Sequence, residues 1–109
     1  MPSTRTWDIF CTVVDNYGDI GVCWRLARQL AAGRGSRVRL WVDDLASFRR
    51  ICPDIVPGLE SQRSQGVEVR WWREPFPEVA AADIVVEAFA CNPPASYVAA
   101  MVAKPRKPV

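Results

Sequence analysis

The stretch Ile9-Phe10-Cys11-Thr12-Val13-Val14-Asp15-Asn16-Tyr17-Gly18-Asp19-Ile20-Gly21 decides the fold. Its first six residues are almost continuously apolar, as expected of a strand covered on both faces. From Ile20 onward Cys23, Trp24, Ala27, Leu30 and Ala31 recur at helical spacing, while Arg25, Arg28 and Gln29 fall on the opposite side. Residues 7–14 therefore read as a strand and residues 20–32 as a helix, ended by Gly33 and Gly35. Between them two carboxylates and two glycines occupy a sharp turn, where the free N–H groups of a new helix point outward. Strand, turn and helix start, in that order, build a site.

The same reading extends along the chain. Residues 36–42 form a second strand, in which Arg37 and Arg39 alternate with Val38 and Leu40, so one face is less buried. Asp44 is a fair N-cap for a short helix through Cys52. Pro53, Pro57 and Gly58 mark a loop that continues through the polar residues 60–65, the expected flexible segment. Residues 67–72 alternate Val67, Val69 and Trp71 with Glu68, Arg70 and Trp72, which suits a third strand at a sheet edge. A turn at residues 74–77 leads to an alanine-rich helical turn near residues 79–82. Residues 83–89 form a fourth strand around the buried run Ile84-Val85-Val86, and residues 94–102 form a helix with Pro94 in its first turn.

Strands alternating with helices specify an α/β fold with a parallel sheet. The apolar runs make strands one and four central and strand three an edge, the order 3-2-1-4 of a Rossmann-like half. Ligands then sit at the carboxyl ends of the strands, beside the switch point between strands one and four, where residues 15–21 and 87–91 lie. Four strands and a proline-rich end look like a domain cut short, so residues 1–109 are expected to be one N-terminal, truncated domain.

Composition narrows the chemistry. Half of the 109 residues are apolar and 24% are charged, with a formal net charge of +2. The arginines are scattered rather than massed, so no nucleic-acid partner is expected. Histidine is absent, which removes Ser-His-Asp and Cys-His pairs and leaves Asp, Glu, Lys, Tyr or Cys as general base. Cys11, Cys23, Cys52 and Cys91 show no C-x-x-C spacing and lie in apolar stretches, so they read as reduced core residues of a cytoplasmic protein rather than a zinc site or disulfide framework. No apolar run approaches the roughly 20 residues of a membrane span, and the first eight residues are not a signal peptide.

Three readings compete for residues 15–21. In the structural one Asp19 caps the helix at Ile20, while Asp15 and Asn16 make an Asx-type turn. In the second the turn holds a dinucleotide, with Asp43 on the ribose, but the fingerprint needs three glycines and only Gly18 and Gly21 are present. A phosphate there would also face Asp15 and Asp19, a costly juxtaposition. In the third, the paired carboxylates hold a guanidinium, whose planar fork accepts bidentate pairing. As a guanidinium nitrogen attacks an electrophile it becomes more acidic, so one carboxylate can orient while the other takes the proton. Glu87, at the end of a central strand, is the third candidate carboxylate, because burial there is costly unless it is paired or faces the cleft. Trp24 reads as core, as do Trp71, Trp72 and Phe76, with partner docking as the other use of that aromatic group.

The segments Trp7-Asp8-Ile9-Phe10-Cys11, Val14-Asp15-Asn16-Tyr17-Gly18-Asp19-Ile20-Gly21-Val22, Leu40-Trp41-Val42-Asp43-Asp44-Leu45 and Val86-Glu87-Ala88-Phe89-Ala90-Cys91 closely resemble the start of the elongation factor P arginine rhamnosyltransferase family. The likeness spans nearly the whole chain. It implies the N-terminal half of a glycosyltransferase-B (GT-B) arrangement and transfer of L-rhamnose from dTDP-rhamnose to an arginine of elongation factor P, with inversion and without metal or other cofactor. By position it implies Asp19 as general base and Asp15 as the residue that orients the acceptor. Asn16, Tyr17, Gly18, Gly21, Glu87 and Phe89 are then substrate-binding candidates. The resemblance also implies that this half docks the acceptor protein and that a second, absent half holds most of the nucleotide-sugar, which leaves the isolated chain inactive. After Cys91 the family leads one to expect an acidic residue, where this chain reads Asn92-Pro93-Pro94. The alternatives are a noncatalytic Rossmann-like protein-binding module and, further off, a nucleotide-dependent oxidoreductase domain.

Overall fold

The computed structural model describes residues 5–12, 17–33, 36–73, 76–87 and 94–103. In chain order the elements are β1 (Thr6–Cys11), α1 (Tyr17–Ala32), β2 (Arg37–Val42), α2 (Leu45–Phe48), β3 (Ser61–Ser64), β4 (Val67–Trp71), β5 (Ile84–Glu87) and α3 (Ala95–Ala103). They form an α/β architecture around one five-stranded sheet of order β3-β4-β2-β1-β5. β1 runs parallel to both β2 and β5, and β2 runs parallel to β4. The sheet is consistent with a Rossmann-like architecture, but its order differs from the expected 3-2-1-4 because β3 is added outside β4.

Three expectations need correction. Residues 61–64, read as part of a flexible loop, form β3, which pairs antiparallel with β4 and displaces it from the sheet edge. The connection is a two-residue turn in which Gln65 and Gly66 both take positive φ, 51° and 82°. Such a turn matches the twist of paired strands and so closes a hairpin. Second, β5 is an edge among the described strands, and its apolar residues are only half-buried. Third, residues 79–82 are irregular rather than helical, because the N–H of Ala82 is taken by the Tyr97 hydroxyl (3.0 Å).

Strand alternation divides the core into two layers. On one face Ile9, Cys11, Leu40, Val42, Val67 and Val69 are buried against Ile20, Cys23, Trp24 and Ala27 of α1 and Leu45 and Phe48 of α2. Trp24 meets Phe48 edge-on, with centroids 5.2 Å apart, which is the core role expected of it. Asp44 caps α2, accepting from the Ser47 N–H at 3.1 Å. On the other face Phe10, Trp41, Ala81 and Tyr97 are buried, with Trp72, Phe76 and Val79 packed around them. The crossover from β4 to β5 passes over this face and α3 lies on it. Phe76 rests 4.5 Å from the Trp41 ring and Trp72 meets Phe10 edge-on. The aromatic residues near the end of β4 are therefore spent on the core.

Candidate functional site

β1 ends with Cys11 at the carboxyl edge of the sheet, and α1 begins at Tyr17. Asp15 and Asn16 lie outside the described residues, as does Phe89. Tyr17, Gly18 and Asp19 are the first three residues of α1; their side chains lie outside the described part. The helix starts three residues earlier than the apolar spacing indicated, which places Asp19 inside the first turn and overturns its reading as the N-cap. Gly21 is the fifth helical residue, and a Cβ added there would meet nothing within 4 Å. Its lack of a side chain leaves open space on the helix surface.

Glu87 is the last residue of β5 and pairs in register with Phe10 of β1. Its side chain is exposed. The topology thus brings Glu87 and the first turn of α1 to the same edge of the sheet, one strand apart. Two sizeable cavities among the described residues lie elsewhere. One of about 340 Å³ opens at the amino ends of β1 and β2, beside Arg37, Arg39 and Arg63. The other, about 390 Å³ and mainly apolar, runs between residues 76–79 and α3. Neither contains a candidate carboxylate.

Asp8 escaped the sequence reading. It sits in the middle of β1, fully buried, with four donors on its carboxylate. Oδ1 accepts from Arg39 Nε (2.6 Å) and Trp41 Nε1 (3.0 Å), and Oδ2 accepts from Arg39 Nη2 (2.5 Å) and the Tyr97 hydroxyl. Arg39 also donates to the Ala80 carbonyl at 2.8 Å. A buried carboxylate is tolerated only when paired and hydrogen-bonded in this way. Burial alone would lower the Arg39 pKa, but the hydrogen bonds and charge of Asp8 outweigh it and raise the pKa above its ordinary value. Burial first, and then donation to the charged Asp8, push the Tyr97 pKa well above that of an ordinary tyrosine. With its oxygens engaged and no contact with water, Asp8 is poorly suited to act as a base; it is a structural hub. The signal was present in the sequence as a lone carboxylate in an apolar strand and an arginine at the same position of the next one, Asp8 opposite Arg39.

Among the described residues no three His, Cys, Asp or Glu side chains gather as metal ligands. No described helix is long and apolar enough to cross a membrane. Cys11, Cys23 and Cys52 are buried in the core.

Comparison with known proteins gives the family. The model of the Elongation-Factor P (EF-P) rhamnosyltransferase EarP family matches residues 7–109. A protein-arginine rhamnosyltransferase of Pseudomonas putida is 58% identical over 104 residues, covering 95% of this chain and 28% of the relative. The proteins of the same name from Pseudomonas aeruginosa and Neisseria meningitidis are 62% and 45% identical, over 88% and 79% of this chain and 26% and 23% of theirs. The chain spans about a quarter of the length of these relatives. With a match over nearly its whole length, it belongs to the EF-P rhamnosyltransferase EarP family and represents the N-terminal part.

Proposed function

We propose that the full-length protein is an inverting protein-arginine rhamnosyltransferase that moves L-rhamnose from dTDP-rhamnose to an arginine of elongation factor P in the cytoplasm, without a metal or other cofactor. The observation that carries this reading is the family match over residues 7–109, which includes the Asp15 to Gly21 segment. In this proposal residues 1–109 belong to the acceptor-side half of a GT-B arrangement. The half that holds the nucleotide-sugar follows, and the 109-residue chain alone is inactive.

The chemistry follows from charge. Asp15 orients the acceptor guanidinium by paired hydrogen bonds, and Asp19 removes a proton as the nitrogen attacks the anomeric carbon and the nucleotide diphosphate leaves. A carboxylate is a weak base toward a resting guanidinium. It suffices here because the nitrogen becomes acidic only as it bonds to carbon. Asn16, Tyr17, Gly18, Gly21, Glu87 and Phe89 line the acceptor and sugar side of the cleft. Support for this placement comes from the shared sheet edge of Glu87 and the first turn of α1.

The test uses the full-length protein with dTDP-rhamnose and elongation factor P, following modified acceptor by intact mass. Asp19→Asn is expected to reduce kcat by about 100-fold or more, in the range of a lost general base. Near-normal turnover in that variant would remove Asp19 as the base.

A further inference from the structure

β5 is a weakly specified strand. It has four residues, Ile84-Val85-Val86-Glu87, and β1 is its one strand partner among the described residues. Register is normally set by the pattern of apolar side chains, since a slip of one residue exchanges the two faces. Here such a slip replaces one β-branched apolar residue by another, so the pattern discriminates poorly. Polar fasteners at the amino end of the strand do the discriminating. The Asp83 carboxylate accepts from the Thr6 N–H (3.0 Å) and hydroxyl (3.1 Å), and the Thr6 hydroxyl accepts from the Asp83 N–H (2.9 Å). The Ala82 N–H donates to the Tyr97 hydroxyl, which donates in turn to Asp8.

Tyr97 is also the one fully buried side chain among the described side chains of α3. Its ring meets Phe10 edge-on at 4.8 Å, and its hydroxyl reaches the carboxylate at the centre of β1. One phenol thus joins α3, the entry to β5 and the strand that leads to the Asp15 to Gly21 segment.

We propose that Tyr97 is a positioning residue for the transfer reaction: through its bonds to Asp8 and the Ala82 N–H it locks the register of β5 on β1 and so sets where the Glu87 carboxylate stands at the carboxyl edge. The proposal rests on the reading of Glu87 as a substrate-contacting residue. A slip of one residue moves Glu87 by about 3.3 Å along the strand and turns it to the other face. Misplacement of a contacting group by about 1 Å is enough to cost rate.

Two measurements on the full-length protein test this. In Tyr97→Phe, amide hydrogen exchange of residues 84–87 is expected to accelerate at least about tenfold, while the β1–β2 pairs stay protected. Unchanged protection of β5 overturns the register lock, whatever the activity. In the transfer assay Tyr97→Phe is expected to lower kcat/KM about tenfold, and less than about twofold when introduced into Glu87→Gln. Independent, multiplicative losses overturn action through Glu87. Phe48→Leu, a core change on the opposite face, serves as the comparison at equal loss of melting temperature; an equal loss of kcat/KM there also overturns the proposal. A wild type that transfers no rhamnose refutes the assigned activity, and the exchange measurement then still reads the lock alone.

Discussion

Replacing Asp8 by Ala removes the acceptor for four hydrogen bonds at a point with no access to water. Deleting one partner of a buried ion pair costs about 3–5 kcal/mol. The Arg39 side chain is 22% exposed, so part of its charge can be rehydrated and the lower end of that range applies. Trp41 is fully buried and its indole N–H would be left without an acceptor, which adds about 1–3 kcal/mol. The two losses share one site and do not add fully, so the expected total is about 4 kcal/mol. Total stabilities of small domains run to about 5–15 kcal/mol, so this single change removes a large fraction. Urea unfolding followed by far-UV circular dichroism reads it directly. With a slope of about 2 kcal/mol per molar, the midpoint should fall by roughly 2 M. Asp8→Asn, which keeps the shape and loses the charge, should fall by roughly half as much. Removing both charges together, in Asp8→Leu with Arg39→Met, should cost less than Asp8→Ala, because no unpaired guanidinium remains. A midpoint shift in Asp8→Ala equivalent to less than about 1 kcal/mol would refute the role of Asp8 as the hub of the fold.

Two further outcomes follow from the same structure. The Tyr97 pKa is raised in the folded state by burial and by donation to Asp8, so above the ordinary tyrosine value near 10 the native protein binds more protons than the unfolded chain. The stabilisation is complete below that value and lost as pH rises above it; melting temperatures between pH 8 and 11.5 should fall more steeply in the wild type than in Tyr97→Phe, and parallel curves would contradict this. Gly66 holds φ at +82°, and a Cβ there would meet the Ala31 Cβ at an ordinary 3.5 Å. Gly66→Ala should therefore cost only backbone strain, about 1–2 kcal/mol, seen as a lower urea midpoint with the sheet intact.

The residues that the sequence exposed and those it hid differ in kind. The parallel strands were legible because Ile9 to Val14 and Ile84 to Val86 are nearly continuous apolar runs and residues 37–42 and 67–72 alternate apolar with polar residues, and α1 because its apolar residues repeat at helical spacing. β3 was not legible: Ser61-Gln62-Arg63-Ser64 has no apolar side chain, and it becomes a strand by pairing with β4. The Gln65-Gly66 turn was the available clue. Residues 79–82 have alanine's helical propensity, a weak preference that the Ala82 N–H to Tyr97 bond overrides. The run Ile84-Val85-Val86 suggested a central strand, yet hydrophobicity does not reveal how many neighbours a strand has within this chain. For the candidate site, the carboxylates stood out as a dense polar cluster between two periodic segments, while Asp8 looked like one more charge near the chain start.

By itself the sequence determined the alternation of strand and helix, the parallel core of the sheet and the edge of the sheet to which Asp19 and Glu87 belong. Those features follow from periodicity and chain direction, which are local properties. Only the tertiary structure decided that Asp8, Arg39, Trp41 and Tyr97 form one buried network, that β3 closes a hairpin, and that a phenol 89 residues from Asp8 holds the entry to β5. Each of those depends on partners distant in the chain, whose hydrogen bonds form only once burial has removed the competing water.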